Sequence, residues 1–87
     1  MWKIVLTKRA LKDIELLKRA GLSLVASRIL DIISKNPFMT PPPYEKLIGA
    51  LNGYYSRRIN FQHRIIYKID ESNKVVTIMR MWTHYDI

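Results

Sequence analysis

The chain has 87 residues, 48% of them apolar, no cysteine, and 15 Lys and Arg against 7 Asp and Glu for a net charge of +8. That length allows one small domain, residues 1–87, with a core of its own. The lack of cysteine excludes a disulfide scaffold and thiolate metal sites, and it fits a cytoplasmic protein. The excess of cations points to a polyanionic partner: nucleic acid, an acidic protein, or both.

No apolar run is long enough to span a bilayer, so no membrane partner is expected. Two histidines far apart in sequence do not make a metal site, and no cofactor is implied. Residues 2 to 6, Trp-Lys-Ile-Val-Leu, read as a first strand, too short for a signal-peptide core. Thr7 can cap a helix from Lys8 to Ala20, with Ala10, Leu11, Ile14 and Leu17 at helical spacing and Gly21 as its stop. Ser23 can cap a second helix reaching Lys35, with an apolar stripe of Leu22, Val25, Ala26, Ile29, Leu30, Ile32 and Ile33 that Asn36-Pro37 ends. Phe38 to Asn52 reads as irregular, and Pro41-Pro42-Pro43 as a stiff, extended piece.

Gly53 to Ile69 reads as a β-hairpin rich in β-branched and aromatic residues. With Asn60-Phe61-Gln62 as the loop, Arg58 faces Arg64 and Tyr55 faces Tyr67. Tyr55, Ile59, Ile65, Tyr67 and Ile69 then share one face, and Ser56, Arg58, Arg64 and Lys68 the other. A slip of one residue would separate Ile59 from Ile65 and Tyr67. The cost is that Arg57 and His63 point to the apolar side, at its rim. Asp70 to Asn73 is a turn, and Lys74 to Trp82 a further strand, continuously β-branched at its centre. The order is β-α-α-β-β-β. It is an α+β fold in which a helical hairpin covers one face of a small, mainly antiparallel sheet. The other face stays open and carries Arg58 and Arg64.

Like charges opposite one another disfavour strand pairing. The arginine pair is therefore either a solvated face or a surface built for an anion. Between Lys46 and Ile69 there are five Lys and Arg and no acid, and Glu45 stands just before this run. Glu45 is either a structural ion-pair partner or a general base. His84 can exchange a proton near neutral pH, or it is simply an exposed tail residue. Tyr54, Tyr55, Tyr67, Trp82 and Phe61 are expected mostly in the core, with Tyr85 able to stack on a base. Carboxylate, arginine and histidine together suit RNA scission by in-line attack of the 2′-hydroxyl: a base takes the proton, cations stabilise charge on phosphorus, and an acid protonates the leaving 5′-oxygen.

The run Ser56-Arg57-Arg58-Ile59-Asn60-x-Gln62-His63-Arg64-Ile65-Ile66-Tyr67, with Glu45-Lys46-Leu47 upstream and Trp82-Thr83-His84-Tyr85 at the end, resembles the YoeB/Txe branch of the RelE/ParE toxin superfamily. The resemblance extends over nearly the whole chain. It implies a toxin of a type II toxin–antitoxin pair that enters the ribosomal A site and cleaves mRNA without metal. It also implies Glu45 as general base, His84 as general acid and Arg64 as transition-state stabiliser. Arg58, Tyr85, Lys46 and Arg57 would contact the RNA or its phosphates. A lysine that many members carry falls here on Ile48, and Lys46 stands two residues earlier. The implied partners are the ribosome, mRNA and an acidic YefM/Axe-like antitoxin, and a homodimer is compatible with the family. Two alternatives are a ParE-type gyrase inhibitor, which needs no acid–base pair, and a non-catalytic RNA- or partner-binding module.

Overall fold

The computed structural model describes residues 1–83. The elements are β1 (Lys3–Leu6), α1 (Lys8–Arg19), α2 (Ser23–Lys35), β2 (Glu45–Lys46), a 3₁₀ turn (Gly49–Leu51), β3 (Tyr55–Arg58), β4 (Arg64–Asp70) and β5 (Val75–Thr83). The five strands form one sheet in the order β1-β5-β4-β3-β2, in which β1 runs parallel to β5 and the other pairings are antiparallel. The expected α+β class and element order hold. The addition is β2, which pairs Glu45 with Ser56 inside the stretch expected to be irregular.

Local chemistry explains where the helices begin and end. Thr7 caps α1 by accepting from Ala10 N at 3.1 Å, and its hydroxyl donates to Met79 O at 2.9 Å, which ties the cap to β5. At the other end Gly21 adopts φ 72°, and the Gly21 and Leu22 amides return to Lys18 O and Leu17 O. This is the left-handed closure that glycine permits most easily. Ser23 is the first residue of α2 rather than its cap; Leu22 occupies the cap position without a side-chain bond.

The core lies between the two helices and the sheet. Ala10, Leu17, Ala26, Ile29 and Ile33 meet Ile59, Ile65, Tyr67, Val76, Ile78 and Met81. Leu11 was expected in this stripe and is instead 52% exposed. Its place toward the sheet is taken by Asp13, which follows Ala10 and precedes Leu17 at helical spacing and is buried.

The hairpin register is the expected one: Tyr55 lies opposite Tyr67, and Arg58 opposite Arg64. Its partner β5 is irregular. Arg64 to Tyr67 is three steps along β4, whereas the facing Thr83 to Ile78 is five steps along β5. The two additional residues are bulges, which leave backbone amides without ladder partners. The Asp13 carboxylate takes up this slack. Its Oδ2 accepts from Met81 N at 2.9 Å, Trp82 N at 3.2 Å and Arg80 Nε at 2.8 Å.

The segment between α2 and β2 is held from two sides. Phe38 packs edge-on against Trp2, Tyr44 and Tyr55, and Tyr55 stacks on Tyr67. Residues 41 and 42 lie in a bend rather than in the stiff, extended piece expected of the three prolines; the Thr40–Pro41 and Pro41–Pro42 bonds are cis. Arg57 supplies the second hold.

Candidate active site

Three elements converge on one cleft. β2 brings Glu45, β3 brings Ser56 and Arg58, and the start of β4 brings Arg64; Glu45 is opposite Ser56 in the ladder, and Arg58 opposite Arg64. Cross-strand partners share a face, so alternation along three neighbouring strands gathers these side chains. The cleft encloses about 340 Å³ and is also lined by Pro42, Pro43, Ile59, Asn60 and Phe61.

Arg64 forms the floor. Its side chain is 7% exposed, while that of Glu45 is 57% exposed. The Arg64 guanidinium donates from one nitrogen to Glu45 Oε1 at 3.2 Å and to the buried Ser56 Oγ at 3.1 Å. Ser56 thereby aims the guanidinium, and Glu45 keeps one flank open to solvent. Arg58 is exposed at the rim and makes no ion pair among the described residues. A fixed guanidinium below and a second at the edge can bind the oxygens of a phosphodiester. A carboxylate in contact with the first can accept a proton from a neighbouring hydroxyl.

Other sequence-predicted residues have different fates. Lys46 is exposed and borders an adjoining hollow with Glu45, Leu47, Ile48 and Leu51, outside the arginine cleft. Arg57, expected among the phosphate ligands, is corrected by its burial: it has 0% exposure on the opposite face. Its guanidinium donates to Tyr67 Oη at 3.0 Å, Pro42 O at 2.6 Å, Pro37 O at 2.9 Å and Met39 O at 2.8 Å, and lies 5.2 Å from the Tyr44 ring centroid. Those bonds leave it no free fork for a phosphate. They hold the irregular segment that leads to Glu45. Burial raises the Tyr67 hydroxyl above its ordinary 10.0, although the adjacent Arg57 acts in the opposite sense.

His84 and Tyr85 lie outside the described residues, so the expected general acid and the stacking tyrosine have no described place in the cleft. Thr83, immediately before them, lies opposite Arg64 in the ladder. His63, read as pointing to the rim of the apolar side, stacks on Trp82 with ring centroids 3.7 Å apart. Two participants were not singled out in the sequence. Ser56 had been placed on the arginine face but given no task. Phe61 had been assigned to the core and is 78% exposed on the cleft wall. Among the described residues no group of three His, Cys, Asp or Glu is disposed to hold a metal ion.

Several solved structures that share this architecture and more than a quarter of the sequence are toxins described as YoeB or YoeB/ParE. One, described as a YoeB/ParE toxin from Agrobacterium tumefaciens, superposes with a TM-score of 0.85 at 28% identity, covering 95% of this chain and 99% of its own. Another, the toxin of a heterotetrameric YoeB–YefM toxin–antitoxin complex from Staphylococcus aureus, gives 0.79 at 28% identity over 98% and 99% of the two chains. In sequence, a Toxin YoeB from Synechocystis is 37% identical over 73 residues, 84% of this chain and 76% of that one. A Toxin YoeB from Mycobacterium bovis is 36% identical over 59 residues, 68% and 67% of the two chains. The profile of the family described as "YoeB-like toxin of bacterial type II toxin-antitoxin system" matches residues 6–85. The chain belongs to that family.

Proposed function

We propose that this toxin is a ribosome-dependent endoribonuclease that cleaves mRNA in the A site. The observation that carries this reading is the Glu45–Arg64 pair, 3.2 Å apart in an open cleft with Arg58 at its rim. Glu45 accepts the proton of a 2′-hydroxyl. The 2′-oxygen forms a bond to phosphorus, and Arg64 and Arg58 stabilise the added negative charge on the non-bridging oxygens. The bond to the 5′-oxygen breaks, and the leaving oxygen takes a proton from His84. The products are a 2′,3′-cyclic phosphate and a 5′-hydroxyl. The steps balance in protons and charge with no redox partner. Tyr85 orients the RNA beside this centre.

The YoeB–YefM complexes and a YoeB dimer from Staphylococcus aureus among the structural relatives support two further parts of the proposal. The partner that silences the toxin is an acidic YefM-like protein covering the cationic face, and self-association is open to this fold. The site of action is the cytoplasm, where ribosomes are; no helix among the described residues is long and apolar enough to cross a membrane.

The test is primer extension on mRNA from purified programmed ribosomes, run beside a gyrase supercoiling assay. Wild-type protein should cut the message and leave supercoiling unchanged. Glu45→Gln, Arg64→Ala and His84→Gln should each slow scission by about 10²–10⁴-fold, the range for one acid, base or charge-stabilising group. Blocked supercoiling without scission would transfer the chain to the gyrase-inhibitor class. Ribosome binding without scission would leave a binding module.

A further inference from the structure

We infer that Phe61 is a nucleobase-stacking residue: its ring forms one wall of the Arg58–Arg64 cleft and takes the face of a base next to the scissile phosphate. The inference rests on the ribonuclease reading and adds how the substrate's base is held. A hydrophobic ring at the tip of a hairpin invites a reason, because the neighbouring tip residues are polar. Phe61 is 78% exposed, whereas Ile59, two residues before it, is buried in the core.

The tip is braced. Asn60 Oδ1 accepts from Gln62 N at 2.9 Å and from His63 N at 2.8 Å, folding the loop around its own side chain. The amides of Ile59 and Asn60 both donate to His63 O, at 2.8 and 3.3 Å. The His63 ring is stacked on Trp82. Phe61 is therefore presented from a turn anchored at both feet, which lowers the ordering cost of a contact.

The ring shares its hollow with Glu45, Arg58 and Arg64. A nucleotide whose phosphate rests on the guanidiniums carries its base within the same cleft. Every base offers a π-face, so an aromatic wall beside cations suits single-stranded RNA of varied sequence. A protein-docking patch would instead need contiguous apolar surface. Among the described residues the other strongly exposed apolar side chains, Met1, Leu11, Leu24 and Ile48, do not line this cleft.

Single-turnover scission of a short synthetic mRNA on purified programmed ribosomes, followed against toxin concentration, tests this. Phe61→Ala should raise the half-saturating concentration by about 5- to 150-fold, the measured range for losing one stacked base. The saturated rate should remain close to wild type. Phe61→Trp should retain tight binding, and Phe61→Leu should behave as alanine. An abasic nucleotide at one of the positions flanking the cut should weaken the wild type by a similar factor and leave Phe61→Ala unaffected. With the wild type active, an unchanged Phe61→Ala curve, a leucine variant equal to wild type, or no abasic position that couples to residue 61 would overturn the stacking role alone. A wild type that cuts nothing would remove the ribonuclease reading and this one with it. An unaltered melting temperature of Phe61→Ala, expected for so exposed a ring, shows that folding is not what changed.

Discussion

Arg57 allows a direct contest between a ligand role and a structural one. Its guanidinium makes four hydrogen bonds of 2.6 to 3.0 Å, with no carboxylate partner among the described residues. Replacing it by methionine keeps an apolar stem and removes all four donors. The bonds to Tyr67 Oη and to one carbonyl, Pro37 O, are buried; those to Met39 O and Pro42 O are only part-buried, so water can take their place. Leaving a buried acceptor without its donor costs about 1–3 kcal/mol. Pro37 O keeps one donor, the Tyr67 hydroxyl at 3.3 Å, so the deficit falls mainly on Tyr67 Oη and the loss should be about 2–3 kcal/mol. A chain of this length is stable by only roughly 4–13 kcal/mol in total. At about 4–8 °C per kcal/mol for a domain of this size, the melting temperature should fall by roughly 8–24 °C. Differential scanning calorimetry of the purified toxin reads this directly. Arg57→Lys, with three donors on a shorter reach, should lose about half as much by the same hydrogen-bond accounting. A methionine variant that melts with the wild type yet loses RNA scission would refute the buried-anchor argument and return Arg57 to the phosphate ligands.

Asp13→Ala leaves Arg80 half-buried without its carboxylate and the Met81 and Trp82 amides without an acceptor, so urea unfolding should show a loss of about 3–5 kcal/mol; a loss below about 1 kcal/mol would mean that water replaces it well. Thr7→Ala removes both the α1 cap and the bond to Met79 O and should cost about 1–2 kcal/mol by the same measurement. The raised Tyr67 hydroxyl gives a pH signature. Its folded pKa lies above the unfolded 10.0, so the stabilisation from the neutral ring is fully present below that value and is lost as pH rises through the folded pKa. The melting temperature should therefore decline on the alkaline side of about 10, and Tyr67→Phe should flatten that decline.

Period and turn chemistry were enough to read the helices, their Thr7 and Gly21 ends, and the hairpin register, because each depends on residues near in sequence. Where long-range geometry decides, the sequence reading went astray. Leu11 and Asp13 exchange places: hydrophobicity ranks leucine as the core residue, but the bulges of β5 require an acceptor that only the carboxylate supplies. The 10–13–17 spacing carried that signal, and it is visible only once a partner with unpaired amides is known. β2 is two residues long and has no period to detect; it exists because Ser56 offers it an edge. The site was half legible. Arg58 and Arg64 meet as their strand alternation implies, while Glu45 reaches them on β2, inside the stretch read as irregular. Alternation put Arg57 on the apolar side but could not tell a rim cation that reaches a phosphate from one sealed in by Tyr67 and three carbonyls, and Phe61 could not be told from a core aromatic.

Arg57 and Asp13 turn out to be opposite solutions to one structural difficulty. Chain segments outside regular ladders expose either carbonyls or amides, and burying them demands a partner of the matching sense. The Pro37–Pro42 stretch presents carbonyls and receives a guanidinium; the β5 bulges present amides and receive a carboxylate. The first segment leads to Glu45 and the second to Thr83, and both arrive beside Arg64 from opposite edges of β4's neighbours. The placement of Glu45 and of Thr83 thus depends on two buried charges, Arg57 and Asp13. A net charge of +8 consequently misjudges the surface a polyanion meets: Arg57 is sealed beneath the sheet and Arg80 is bound to Asp13, so the attraction at the cleft itself comes from Arg58 and Arg64. Arg58→Ala should accordingly reduce the salt dependence of binding to RNA more than removal of any cation on α1, since counterion release counts only charges that reach the phosphates.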